Sequence, residues 1–218
     1  MLNVFTFLTL AFSALLPVIN PLGSALVFLG LVGPVHASEY KRLARKIAAT
    51  TILLLTIVEV AGSFILRFFG ISLPVVQLAG GCVLAAMGWN LLNQKDDGVA
   101  SAGKSGPARD APSRDADVFY PLTFPVTAGP GCIVIALTLS AHAAHGGWEN
   151  NLFAHVGILG GILLNGALVY ACYAYAPNIA RWTSPQTLGG LMRIIAFLLL
   201  CIGVQIAWNG VTSLIHPT

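Results

Sequence analysis

The sequence predicts an all-α membrane protein of six transmembrane helices, arranged as two inverted three-helix repeats in which helices 1 and 4 are broken. Three observations carry that expectation. The 218 residues are 56% hydrophobic and only 9% charged, against roughly 25% charged in soluble domains. The apolar runs reach the ~20 residues that a helix needs to cross the hydrocarbon core. Two helix-breaking clusters, Pro17-Val18-Ile19-Asn20-Pro21-Leu22-Gly23 and Pro125-Val126-Thr127-Ala128-Gly129-Pro130-Gly131, interrupt the first and fourth of those runs.

Hydropathy places spans over 4–33, 47–69, 73–92, 119–140, 152–175 and 188–213. The first is longer than a straight crossing, which fits two half-helices meeting at the Pro17 to Gly23 cluster. Its start contains no Lys or Arg, and its apolar stretch outruns the core of a signal peptide, so it reads as a retained span. Between spans three and four, the segment 93–117 is rich in Gly, Ala, Ser, Pro and charge and buries too little apolar surface to order itself. It reads as a disordered cytoplasmic linker between a first three-span repeat, 1–92, and a second, 118–218.

A shift of 108 residues pairs Pro17 with Pro125, Val18 with Val126, Gly23 with Gly131, Leu29 with Leu137 and Leu31 with Leu139. Spans three and six share an ending, Cys82-Val83 then Trp89-Asn90 against Cys201-Ile202 then Trp208-Asn209. An odd number of spans per half makes the second repeat enter from the opposite side, and broken helices in corresponding positions point to a solute site at the bilayer midplane. Ten of the eleven Lys and Arg fall on the side that holds loops 1–2, 3–4 and 5–6, and only Arg67 lies on the other. The positive-inside rule then puts the ten in the cytoplasm, with both termini periplasmic or extracellular.

Each break frees backbone groups that lipid cannot satisfy. Half-helices ending near Pro17 and Pro125 would offer carbonyls to a cation or ammonium group. Half-helices restarting around Gly23-Ser24 and Gly131-Cys132 would offer amide groups and the positive end of a dipole to an anion. The expected substrate-binding residues are Asn20, Pro21, Gly23, Ser24, Thr127, Ala128, Gly129, Pro130 and Gly131, with Thr123 supplying a further hydroxyl. All are uncharged, which suits a small zwitterion.

Glu59 is the one acidic residue inside a predicted span. Either it carries a coupling ion, H+ or Na+, or it lies in the outer part of span two and reaches the interface or a nearby donor. His142, His145 and His155 imitate metal-ligand spacing, but their neighbourhood supplies no cysteine, and no metal or other cofactor is expected. Cys82, Cys132, Cys172 and Cys201 lie inside spans and read as small packing residues. Gly157, Gly161, Gly62, Gly80, Gly81 and Gly166 fit close helix packing and leave room for a homodimer. Asn165, Gln205 and Asn90 either bond across helices or face a cavity.

The breaks Asn20-Pro21-Leu22-Gly23 and Ala128-Gly129-Pro130-Gly131, the junction Phe69-Gly70-Ile71-Ser72, the pair Gly80-Gly81 and the ending Cys201-Ile202-Gly203-Val204-Gln205 resemble the MarC family of bacterial inner-membrane proteins. That family includes the SnatA small neutral amino acid transporters. The resemblance covers nearly the whole chain and implies a bacterial inner-membrane location and an inverted-repeat fold of six spans. It also implies broken helices around a midplane site for amino acids such as glycine and alanine. Phe28-Leu29-Gly30-Leu31 is closer to the MarC branch, whose name states no substrate.

These features favour a secondary transporter, with export as one candidate direction, whose partners are a small solute and the lipid bilayer. Gly98-Val99-Ala100-Ser101-Ala102-Gly103-Lys104-Ser105 matches G-x-x-x-x-G-K-[ST], but it falls in the linker expected to be disordered, without the strand and helix that a phosphate-binding loop needs, so the energy would come from an ion gradient. The net charge of +3 sits in short loops beside apolar spans and indicates orientation, not nucleic acid. An intramembrane enzyme would need a nucleophile with a base, paired acids or a metal cluster, and the chain is not expected to be an enzyme. A non-transporting scaffold or regulatory protein is the other alternative.

Overall fold

The computed structural model describes residues 4–93, 118–143, 148–182 and 185–216. The expected linker, apart from Asn93, and His145 lie outside the described residues, as does the side chain of His142. Among the described residues the chain is all helix, without strands.

The first expected span is two helices, α1 (Val4–Ile19) and α2 (Pro21–Val32). Helix α3 (Ala37–Phe68) absorbs the span expected over 47–69 and starts well before it, its first turns carrying Glu39, Lys41, Arg42, Arg45 and Lys46. It ends in a Schellman motif: the Gly70 amide donates to the Arg67 carbonyl at 3.1 Å and the Ile71 amide to the Leu66 carbonyl at 2.9 Å, with Gly70 at φ 68°. Phe69-Gly70-Ile71-Ser72 is therefore a sharp stop followed at once by α4 (Leu73–Leu92), whose first turn holds Pro74. The second half runs through α5 (Val118–Thr127), α6 (Pro130–Ala143), α7 (Trp148–Ala174), the short α8 (Ala176–Trp182) and α9 (Pro185–Ile215).

Among the described residues, four stretches are long and apolar enough to cross a membrane: Val4–Val32, Leu73–Leu92, Asn151–Ala174 and Gly189–Ile215. The bent pair α5 and α6 makes a fifth if it is taken as one span.

Glycines set how closely these helices approach. A Cβ on Gly81 would meet the Gly203 carbonyl at 2.6 Å, and one on Gly88 would meet the Leu200 amide at 2.5 Å, so α4 and α9 pack backbone to backbone in opposite directions. A Cβ on Gly157 would press on the Val4 carbonyl and one on Gly161 on Ala11 and the Leu8 carbonyl, which sets α7 along α1 in the same direction. Gly62, Gly80 and Gly166 are filled by Leu137, Val134 and Ile52. The glycines expected to serve close helix packing thus do so within one chain. Of the four cysteines, Cys132 and Cys172 are buried as packing residues, whereas Cys82 and Cys201 are exposed on the helix surface.

Candidate functional site

At the first break the helix stops at Asn20, not at Pro17. Pro17 is carried within α1, and the Asn20 amide still reaches the Leu16 carbonyl at 3.0 Å. Pro17 lies in the last turn, where its missing N–H costs the helix one bond. The break comes from Asn20 itself, which adopts the left-handed region at φ 44°, ψ 64°. Asparagine tolerates that conformation better than most residues, and Pro21 then occupies the first position of α2, where no amide hydrogen is needed.

Asn20 also caps the helix that follows. Its Oδ1 accepts from the Gly23 amide at 3.1 Å, and its carbonyl accepts from the Ser24 amide at 2.9 Å and the Ser24 hydroxyl at 2.8 Å. The restart therefore falls at Pro21, ahead of the expected Gly23-Ser24, and two of the amides expected to face a ligand are already occupied. The Asn20 Nδ2 points to Met192 Sδ of α9 at 3.6 Å.

The second break is wider. Tyr120 (φ −125°, ψ 123°) and Phe124 (φ −116°, ψ 126°) are extended inside α5, and each precedes a proline, Pro121 or Pro125, whose ring disfavours the helical region for its neighbour. Hydrogen bonds consequently reach five residues back. The Ala128 amide donates to the Thr123 carbonyl at 2.8 Å, and the hydroxyls of Thr123 and Thr127 donate to the carbonyls of Val118 at 2.7 Å and Leu122 at 2.6 Å. Threonine side chains thus satisfy backbone acceptors that a regular helix would have satisfied. The half-helix ends at Thr127, past the expected Pro125, and α6 starts at Pro130, one residue before the expected Gly131, at 68° to α5.

One side chain ties the breaks together. The Tyr173 hydroxyl of α7 lies 2.7 Å from Thr127 Oγ1, and the Ser24 side chain interacts with the same phenol. Its fully buried ring stacks on Phe28 of α2, with centroids 4.7 Å apart and planes within 3°. On the other flank, a Cβ on Gly131 would overlap the Leu84 side chain and stand 3.0 Å from Val18 Cγ1. The cluster reaches from Leu84, near the middle of α4, to Tyr173, next to the C-terminal end of α7.

Ser24, Thr123, Thr127, Ala128, Gly129, Pro21 and Gly131 are buried, Asn20 and Gly23 are half-buried, and Pro130 is exposed. Tyr173 and Met192 were not legible as site residues: Tyr173 sits in an apolar run that marks it as core, and Met192 stands beside Arg193 near the start of the last span. Glu59 stands apart. It is fully buried on α3 and pairs with His155 of α7, the partner that spacing among the histidines did not suggest. His155 and Tyr173 are five turns apart on α7, about 27 Å at 1.5 Å per residue. Asn165 bonds across helices, its Nδ2 3.3 Å from the Phe12 carbonyl of α1, while Gln205 and Asn90 are exposed and Gln205 donates to Asn209 Oδ1 at 2.9 Å.

The fold and the cluster define a helical integral membrane protein with two interrupted helices joined through a buried tyrosine. The profile of the MarC family integral membrane proteins matches residues 5–215, so the chain belongs to the MarC family. It is 29% identical to the inner membrane protein MarC of Salmonella paratyphi B over 99% of this chain and 98% of that protein. It is likewise 29% identical to the MarC protein of Citrobacter koseri and 28% identical to that of Escherichia coli O139:H28, each over 99% of this chain and 98% of the relative. No solved structure matches the chain.

Proposed function

We propose that the protein is a secondary transporter of small neutral solutes, amino acids of the size of glycine and alanine being the first candidates, in the bacterial inner membrane. The observation that carries this reading is the placement of Tyr173, which hydrogen-bonds Thr127 at the second break and stacks on Phe28 of α2, the helix that leaves the first break, inside an apolar bundle. Irregular backbone at depth is tolerated where it is buried in protein or lines a cavity. A structure built only for support has no need of two such interruptions facing each other.

In this reading α3 supplies the sixth span, the halves are inverted repeats, and both termini face the periplasm. The antiparallel α4 and α9 and the parallel α1 and α7 are the directions that an inverted pair of three-span halves requires. The hydroxyls of Tyr173, Thr127 and Ser24 and the amide of Asn20 bond to one another or to nearby backbone when the site is closed, and to solute when it opens. None is charged, so a zwitterion keeps its own charges balanced by dipoles. Coupling is to H+ or Na+.

Purified protein screened by thermal shift against glycine, alanine and a panel of small metabolites tests this, because a specific ligand raises apparent stability by mass action. The transporter reading expects a shift for at least one small neutral solute, and uptake of that solute in proteoliposomes. Thr127→Val and Tyr173→Phe should each weaken its binding about tenfold, the equivalent of one buried hydrogen bond at about 1.4 kcal/mol. A folded wild type indifferent to the whole panel would favour a scaffold.

A further inference from the structure

Glu59 and His155 make a second polar site that the breaks do not explain. The Glu59 side chain is 0% exposed, and its Oε1 meets His155 Nδ1, whereas its Oε2 has no hydrogen-bond partner among the described residues. His155 is 35% exposed, so the pair has one member sealed inside and one that reaches the surface. An ionised carboxylate with an unpartnered oxygen in apolar surroundings is costly, and neutralisation removes that cost. Imidazole Nδ1 donates to a carboxylate and, in its other tautomer, accepts from a carboxylic acid. The contact therefore survives in both protonation states of Glu59.

Nothing else charged is described beside the pair. On α3 itself the nearest ionised group is the exposed Arg67, two turns away. From α5 the only titratable side chain is the exposed Tyr120. From α6 the described one is Cys132, at the far end of that helix, the side chain of His142 lying outside the described residues. Helix α7 adds Tyr170, Cys172 and Tyr173, four or more turns beyond His155, and the side chain of Glu149 near its start is not described. The same turn of α3 is tied to the helix that leaves the second break: Ser140 Oγ of α6 donates to the Glu59 carbonyl at 2.7 Å.

We infer that Glu59 and His155 form a proton-binding site, separate from the two breaks, which loads from the side of the membrane where α7 begins and couples proton occupancy to solute movement. The coupling half of this inference rests on the transporter reading; the proton site does not. His155 is the port, because it alone of the two is accessible. Glu59 is the store, because its second oxygen has room in its bonding for a proton.

Infrared difference spectra of purified protein, taken as the pH is lowered from about 8 to about 5, the range in which histidine ordinarily titrates, test the site directly. The wild type should gain the carbonyl band of a buried carboxylic acid, Glu59→Gln should lack it, and His155→Gln should shift it. A band unchanged in Glu59→Gln overturns the site, as does its absence from wild type. Size-exclusion profiles and solute-induced thermal shifts confirm that each variant is folded. In proteoliposomes a pH gradient should stimulate wild-type flux of the identified solute at least fivefold and leave Glu59→Gln flux unstimulated with solute binding intact. A Glu59→Gln flux that still follows the gradient overturns coupling. If the wild type moves no solute from the panel, the transporter reading fails and coupling with it, while the infrared band still decides the proton site.

Discussion

The two breaks look alike in sequence and are built differently. The first is a hinge of one residue: Asn20 turns left-handed, caps α2 with its own side chain, and leaves α1 and α2 as one stretch of 29 residues. The second spreads over Tyr120 to Gly129, uses two prolines to force extended residues, and swings the chain through 68°. A proline late in a helix loses one bond, whereas two prolines four residues apart each impose an extended neighbour, and the ladder cannot close between them. The lesson is that a proline's effect depends on its place in the helix and on what precedes it. The wide break also exposes more backbone, and it is there that threonine hydroxyls are recruited.

Substitutions can break this contrast. The largest effect is expected at Gly131→Leu, whose side chain would run into Leu84 and Val18. Overpacking of this kind costs about 1–3 kcal/mol and sometimes more, so the variant should show a lower melting temperature and a reduced yield of monodisperse protein. Adding Leu84→Ala should restore part of both. Loss in Gly131→Leu with no recovery in the double variant would mean that the two residues do not share the space.

A smaller effect is expected at the hinge. Asn20→Ala removes the cap on the Gly23 amide and places a less tolerant residue at positive φ, a loss of about 1–2 kcal/mol. Asn20→Gly keeps the backbone conformation and should lose only about half as much. Equal melting temperatures for the two would show that the left-handed turn is not what Asn20 supplies. The smallest loss is expected at Pro17→Ala, which restores one helical bond without moving the break and should leave the protein at least as stable as the wild type, because Ala is favoured over Pro inside a helix. A lower melting temperature there would return the first break to Pro17.

Several elements were readable from residue order because their causes are local. The apolar runs, the punctuation at Asn20-Pro21 and at Ala128-Gly129-Pro130, and the stop at Phe69-Gly70 each follow from properties of a few neighbouring residues. Boundaries were less secure: the early start of α3 over charged residues is favoured by the burial of Tyr40, Leu43, Ala44 and Ile47 against other helices, which no local pattern announces. Tyr173 is the clearest omission. An aromatic residue at the end of an apolar run looks like packing, and only its neighbours turn it into the link between Ser24 and Thr127. His155 was hidden for a related reason, since its nearest histidines in sequence only imitate metal-ligand spacing and its partner is 96 residues away.

Residue order by itself determined that this chain is a helical membrane protein of the MarC family with two interrupted helices, because hydropathy and helix breaking act over one or two turns. The tertiary structure alone decided that Asn20 and not Pro17 is the first hinge, and that Tyr173 closes one break onto the other. It also decided that Glu59 is paired with a partly exposed histidine. Those outcomes depend on which helix faces which, and close approach at Gly81, Gly157 and Gly161 settles that through contacts between residues far apart in the chain.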